Sequence, residues 1–232
     1  MIGLEPPTEL VAADIGAGTG IGSRLLAERG IRVLAVEPNA DMRAAATPHE
    51  LVEFLVGTAE QIPLQSASVD LVTSFQAFHW FDFVESLKEF RRILKPDGRL
   101  ALIWTFWDRR DVISRHYSGL ISEASKSHER RAQPRLQAKT LLKSLRYQLF
   151  WRGLWLPYFT NFQRHWFTYH QELDLIGLIG LARSQGFIPN EGVAWEKLVS
   201  ELSVFHNRFR NEYGRVRLTY RTRLYLATLD RC

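Results

Sequence analysis

The stretch "VAADIGAGTGIG" (residues 11–22) decides how this chain is read. A short apolar run ending at Ile15 meets four glycines and passes directly into a helix-forming segment. A strand, a glycine turn and a helix in that order set backbone N–H groups at the carboxyl end of a strand, the edge where open α/β sheets bind ligands. The glycine spacing narrows the ligand. A dinucleotide fingerprint needs G-x-G-x-x-G, and here Ile21 stands at the third glycine's place; a phosphate loop of the form G-x-x-x-x-G-K-[ST] fails because no lysine follows. Two acids stand out instead: Asp14, two residues ahead of Gly16, and Glu37, at the end of the next strand-like run. A carboxylate beside a glycine turn suits a ligand bearing an ammonium group. One that closes a second strand suits a ribose diol, because its two oxygens can accept two hydroxyl protons.

Outward from the loop, strand and helix signals alternate. Leu10 to Ile15 reads as a buried strand and Gly20 to Arg29 as a helix, with Gly30 just past its end. "IRVLAVE" (31–37) is a second strand, Asn39 can cap a helix running through Ala46, and "LVEFLV" (51–56) is a third strand. "VDLVTSF" (69–75) is the fourth. Phe83, Leu87, Phe90 and Leu94 recur at helical spacing before a "KPDG" turn, and "RLALIWTF" (99–106) is the fifth strand. Strands alternating with helices at this spacing predict right-handed crossovers and a mostly parallel, doubly wound sheet. Residues 109–150 read as helical and basic, interrupted by Pro134, and residues 147–170 are dense in aromatics. Residues 216–226 alternate apolar with polar side chains, as a half-buried strand does. That strand is expected to return antiparallel beside another near 162–169.

Length and composition agree with one globular domain: 232 residues, 46% hydrophobic, can bury a full core. Its expected parts are a ligand-binding core at 10–108, a helical and aromatic insertion at 109–160, and C-terminal helices and edge strands at 161–232. The single cysteine, Cys232, excludes a disulfide framework, a cysteine metal cluster and a catalytic thiol at the loop; no metal is expected. No apolar run approaches the ~20 residues of a membrane span, and the N-terminus has no basic region followed by an apolar core. A soluble, cytoplasmic protein is the expectation. Net charge is +5, but residues 1–108 carry 9 basic and 15 acidic side chains and residues 109–232 carry 21 and 10, so the halves differ in sign. A basic half admits an anionic partner, although its charges are dispersed, as on a solvated face.

Taken with the loop, several further segments resemble the class I S-adenosylmethionine-dependent methyltransferases. "DIGAGTG" is similar to that family's first motif, "VEPNADM" to the acidic end of its second strand, "GTAEQIPLQSASVDLV" to its adenine-side loop and fourth strand, and "LKPDGRLAL" to its lead into strand five. "QAFHWFD" (76–82), "LARSQGFIP" and "YRTRLYLA" resemble the methyltransferase type 11, trans-aconitate methyltransferase-like small-molecule subgroup. The likeness implies a Rossmann-like, mostly parallel seven-stranded sheet with an antiparallel edge strand and a helical insertion after strand five. It also implies S-adenosyl-L-methionine as cofactor and a small-molecule methyl acceptor.

By this resemblance Gly16, Ala17, Gly18 and Gly20 let the backbone approach the methionine part of the cofactor, with Asp14 turned toward it directly or through water. Glu37 takes the ribose, Pro38 and Met42 border the adenine, Ala59 and Glu60 lie on its other side, and Gln76 sits near the sulfonium. His79 is the candidate catalytic residue, able to accept a proton near neutral pH or to hydrogen-bond an anionic acceptor, and Trp80 offers that acceptor a flat wall. Met42 also suits a core, and His79 a packed pocket.

Two departures from the family's pattern stand out. Thr58 occupies the place of an acid, and only about ten residues precede the first strand. The alternatives are a noncatalytic or N-terminally truncated cofactor-binding protein and an RNA methyltransferase. Nucleic acid is disfavoured as a partner because Ser74-Phe75-Gln76-Ala77-Phe78 stands where amino-directed enzymes carry Asn-Pro-Pro-aromatic.

Overall fold

The structure is a computed structural model that describes residues 10–129, 158–185, 188 and 190–230. Pro134 and the first part of the aromatic stretch, to residue 157, lie outside the described residues. The described chain forms two compact units, one of residues 10–104, 158–165 and 223–230 and one of residues 105–129 and 166–222.

The first unit holds β1 (Val11–Ile15), α1 (Ile21–Ala27), β2 (Arg32–Val36), α2 (Ala40–Ala44), β3 (Val52–Leu55), β4 (Val69–Phe75), α3 (Phe83–Ile93) and the start of β5 (Leu94–Trp107). Their strands pair in parallel. With β6 (Phe159–Leu173) and β7 (Val216–Leu229), the sheet order is β3-β2-β1-β4-β5-β7-β6. The chain walks outward from β1 to β3 and then returns to place β4 on β1's other side. The carboxyl ends of β1 and β4 therefore flank the switch point, where such sheets form their ligand crevice.

β7 is the antiparallel strand. Against β6, Asn161 reaches Thr228 and His170 reaches Thr219, each at 3.1 Å, so one number rises as the other falls. The same holds against β5, where Thr105 meets Thr222 and the Asp108 N–H meets the Thr219 carbonyl, each at 2.8 Å. The antiparallel strand thus lies one place in from the edge, which β6 occupies.

Local chemistry explains the boundaries. Asn39 ends the extended backbone and caps α2 by accepting from the N–H groups of Asp41 and Met42 at 2.9 and 3.2 Å. Asp82 does the same for α3, accepting from Val84 and Glu85. α3 buries Phe83, Leu87, Phe90 and Ile93 against the sheet, as its apolar spacing predicts. The boundary that differs most from the sequence reading is that of β5, which begins at Leu94, five residues early. Val69 faces Leu94 while Leu71 faces Arg99, so "KPDG" is taken up as a bulge within the strand and not as a separate turn.

The second unit is helical where the sequence is basic: α4 (Val112–Glu129), α5 (Leu175–Arg183) and α6 (Val193–Phe209). It has its own core, around Tyr117, Ile121, Leu178, Leu202, Phe205 and Leu218. Among the described residues no helix is long and apolar enough to cross a membrane.

Candidate functional site

The site is built at the carboxyl ends of β1, β2 and β4, all in the first unit. After Ile15 the chain turns through Gly16, Gly18 and Gly20, each left-handed, with φ of 69°, 58° and 75°. At Gly16 a side chain is excluded twice over. The conformation disfavours one, and a Cβ would stand 2.7 Å from that of Ala77 and 2.9 Å from the Phe81 ring. This is where the first glycine turn packs against the loop after β4. At Gly18 a Cβ would have only the Met42 sulfur nearby, at 4.0 Å, so here the glycine leaves open space in front of the backbone. The N–H groups of Gly16 and Ala17 donate to the Val36 carbonyl at 2.9 and 3.2 Å, which ties the loop to the end of β2.

The two acids sit differently. Asp14 is 1% exposed, and both of its oxygens face inward, accepting from Ser23 Oγ of α1 at 2.7 Å and from Thr73 Oγ1 of β4 at 3.1 Å. Thr73 is also its register partner across the sheet. Burial pushes the Asp14 carboxyl up to about 6, against the two hydroxyl donors, with the Glu37 charge adding slightly to the rise. Glu37, 8% exposed, accepts from the Gly18 N–H on Oε2 and the Asn39 N–H on Oε1, both at 2.9 Å. Each oxygen keeps a further lone pair. Glu37 thereby joins the glycine loop to the cap of α2. Pro38 and Met42 are exposed on that cap.

Glu60 and Ala59 are less alike than their adjacency in sequence suggests. Ala59 is buried in the core of the first unit, whereas the exposed Glu60 accepts from the Asp82 N–H at 2.7 Å. A second clamp follows. Arg92, near the end of α3, donates to the carbonyls of Leu64 and Ile62 at 2.6 and 2.9 Å and pairs with Glu89, which accepts from the Ile62 N–H. The segment from Glu60 to Leu64 is held at both ends of one helix.

β4 ends at Phe75 and is followed by Gln76, a non-glycine residue in the left-handed region with φ of 58°, whose N–H donates to the Ile103 carbonyl at 2.9 Å. Such a conformation costs on the order of 1–3 kcal/mol and is held by its surroundings. A 3₁₀ turn over Phe78–Trp80 follows. Phe78 is fully buried, ringed by Phe81, Phe83, Phe90 and Trp104 at centroid distances of 5.6 to 6.2 Å. His79 and Trp80 then project outward, their rings 5.0 Å apart, with Trp80 77% exposed. His79 Nδ1 accepts from the Trp104 indole N–H at 3.4 Å, and partial burial of its ring holds its pKa below the ordinary histidine value.

The structure therefore brings Gly16, Ala17, Gly18, Glu37 and Met42 to one loop cluster and Gln76, His79 and Trp80 to the neighbouring one. Asp14 lies beneath the first, Ala59 in the core, and Gly20 at the start of α1, where a Cβ would meet the Phe54 ring. Sequence reading missed Ser23 and Thr73, which hold Asp14, and Trp104, which holds His79. Ser23 and Thr73 carry no pattern of their own; a tryptophan inside a strand reads as core.

Residues 13–102 match a family described as a methyltransferase domain. An uncharacterized methyltransferase of Mycobacterium tuberculosis, Rv3342, is 46% identical over 100 residues, 42% of this chain and 40% of that protein. The ubiquinone/menaquinone biosynthesis C-methyltransferase UbiE of Rubrivivax gelatinosus is 43% identical over 39% of this chain and 37% of its own. The malonyl-[acyl-carrier protein] O-methyltransferase of Methylococcus capsulatus is 33% identical over 59% and 56%. The chain thus spans well under two thirds of these relatives' length. Among solved structures, a candidate methyltransferase from an antibiotic biosynthesis pathway of Anabaena variabilis superposes with a TM-score of 0.58 at 27% identity, covering 94% of this chain and 91% of that one. A candidate type II methyltransferase from Anaeromyxobacter dehalogenans shares the fold, with a TM-score of 0.67 at 23% identity over 96% and 91%. Residues 13–102 are thus similar to methyltransferase domains, and the chain has the Rossmann-like α/β fold of these solved structures.

Proposed function

We propose that the protein is an S-adenosylmethionine-dependent methyltransferase acting on a small-molecule acceptor. The observation that carries this reading is Glu37: its carboxylate, drawn to the glycine loop by the Gly18 N–H, keeps a free lone pair on each oxygen beside a stretch of backbone with no side chain in front of it. That arrangement fits a ligand with a diol at one end and a narrow chain crossing the loop. Gly16, Ala17 and Gly18 would admit the methionine part, Glu37 the ribose hydroxyls, and Pro38, Met42 and the segment at Ala59 and Glu60 the adenine. Asp14, buried with both oxygens held, would act from below by fixing the loop. When bound, the cofactor supplies an electrophilic methyl carbon on a sulfonium, whose displacement by an acceptor lone pair leaves a neutral thioether.

The chain's own contribution is positioning. Gln76 follows β4 beside the loop, and His79 and Trp80 stand on its far side as the groups that meet the acceptor. The names of two relatives, a ubiquinone/menaquinone biosynthesis C-methyltransferase and a malonyl-[acyl-carrier protein] O-methyltransferase, support an acceptor of metabolite type. Removing the Glu37 acceptor tests the assignment. Glu37→Ala is expected to weaken S-adenosylhomocysteine binding by about 1.5 to 3 kcal/mol, roughly 10- to 150-fold, measured by calorimetry. Tighter binding of NADH than of S-adenosylhomocysteine by the unaltered protein would overturn the reading.

A further inference from the structure

We propose that Trp104 is a positioning residue that fixes His79 as the neutral form protonated on Nε2, so that His79 presents a hydrogen-bond donor to the acceptor and does not take its proton. The word acceptor rests on the methyltransferase reading; the tautomer does not. Trp104 lies on β5 and is 3% exposed, its ring set edge-on to Phe78 at 6.2 Å and to Tyr225 at 5.9 Å. Packing on these two rings fixes where its indole N–H points, and the N–H meets His79 Nδ1 at 3.4 Å.

An indole nitrogen only donates, so the nitrogen it meets must offer a lone pair. In a neutral imidazole the proton then sits on the other nitrogen. The opposite tautomer would set two N–H groups head to head, and so would the cation. The bond is long, yet a hydrogen bond of ordinary net strength already shifts a two-state ratio about fivefold. The partial burial that depresses the His79 pKa works in the same direction, keeping the ring neutral near pH 7. Nε2 is left as the nitrogen able to reach a bound molecule, and it carries the proton. A histidine so held steers or polarises a lone pair on the acceptor; it has no basic site left to offer.

Long-range ¹H–¹⁵N correlation on the ¹⁵N-histidine-labelled protein at pH 8, above the ordinary histidine pKa of about 6.5, reads the tautomer directly. The expected spectrum shows His79 predominantly protonated on Nε2, and Trp104→Phe moves the ratio about fivefold toward the Nδ1–H form. An even mixture or an Nδ1–H majority in the unaltered protein overturns the proposal, with no variant needed. An unchanged ratio in a folded Trp104→Phe protein overturns it as well. Both readouts are taken without cofactor or acceptor, so S-adenosylhomocysteine titration judges the functional reading separately.

Discussion

The two halves of the candidate site are made of different material. The half at the ends of β1 and β2 is backbone: three left-handed glycines, N–H groups donating to Val36 and Glu37, and a buried acid beneath them. The half at the end of β4 is side chain: a ring of aromatics around Phe78, with His79 and Trp80 outside it. Backbone geometry allows few residue types, because only glycine combines a positive φ with no Cβ. An aromatic cluster admits many solutions of similar volume. The first half therefore tolerates few substitutions, and the second can be rebuilt in many ways.

The largest expected effect falls on the aromatic half. Phe78→Ala removes a fully buried ring at the centre of four others and should cost about 3–5 kcal/mol of stability by urea denaturation. A loss below ~1 kcal/mol would show that the β4 half is not packed as a unit.

Next comes the buried acid of the other half. Asp14 keeps its proton to about pH 6 in the folded protein, against a usual value of 3.8. With the folded value raised, its contribution to stability is full below pH ~4 and is lost as pH rises toward 6, a change of about 3 kcal/mol. Asp14→Asn removes that titration, so its stability should fall less than the wild type's between pH 4 and 6. Parallel pH curves for the two proteins would place the proton elsewhere.

The smallest and sharpest contrast lies inside the glycine loop. Gly18→Ala pays only for its left-handed backbone, about 1–2 kcal/mol, because its Cβ meets open space. Gly16→Ala must in addition displace Ala77 or Phe81, the contact between the two halves. It should be the more destabilised of the pair in the same denaturation experiment. Equal losses would mean that the halves do not touch there.

What was legible in the sequence follows the same division. Strand alternation, the capping Asn39 and the glycine spacing are local signals, each satisfied within a few residues of chain, and the first four strands lie within a residue of where those signals place them. The contacts that orient the site are not local. Asp14 meets Thr73 across 59 residues and His79 meets Trp104 across 25, and neither partner is marked by spacing or composition. The role of Asp14 as a buried anchor was hidden for that reason: an acid before a glycine turn looks the same in sequence whether it faces a ligand or two hydroxyls. The bulge at "KPDG" was hidden by its own turn chemistry, which is as good for a kink inside a strand as for a turn ahead of one.

The double clamp on residues 60–64 bears on how this site could be re-engineered. Glu60 holds the first residues of α3 and Arg92 holds Ile62 and Leu64 from the last, so the loop after β3 and the loop after β4 share one helix as a common splint. A designer who transplants "QAFHWFD" alone from a relative inherits a mismatched splint. The exchangeable cassette is the whole block from Gly57 to Ile93, and chimeras cut at its two borders should tolerate new sequences at 76–82 that chimeras cut inside it reject.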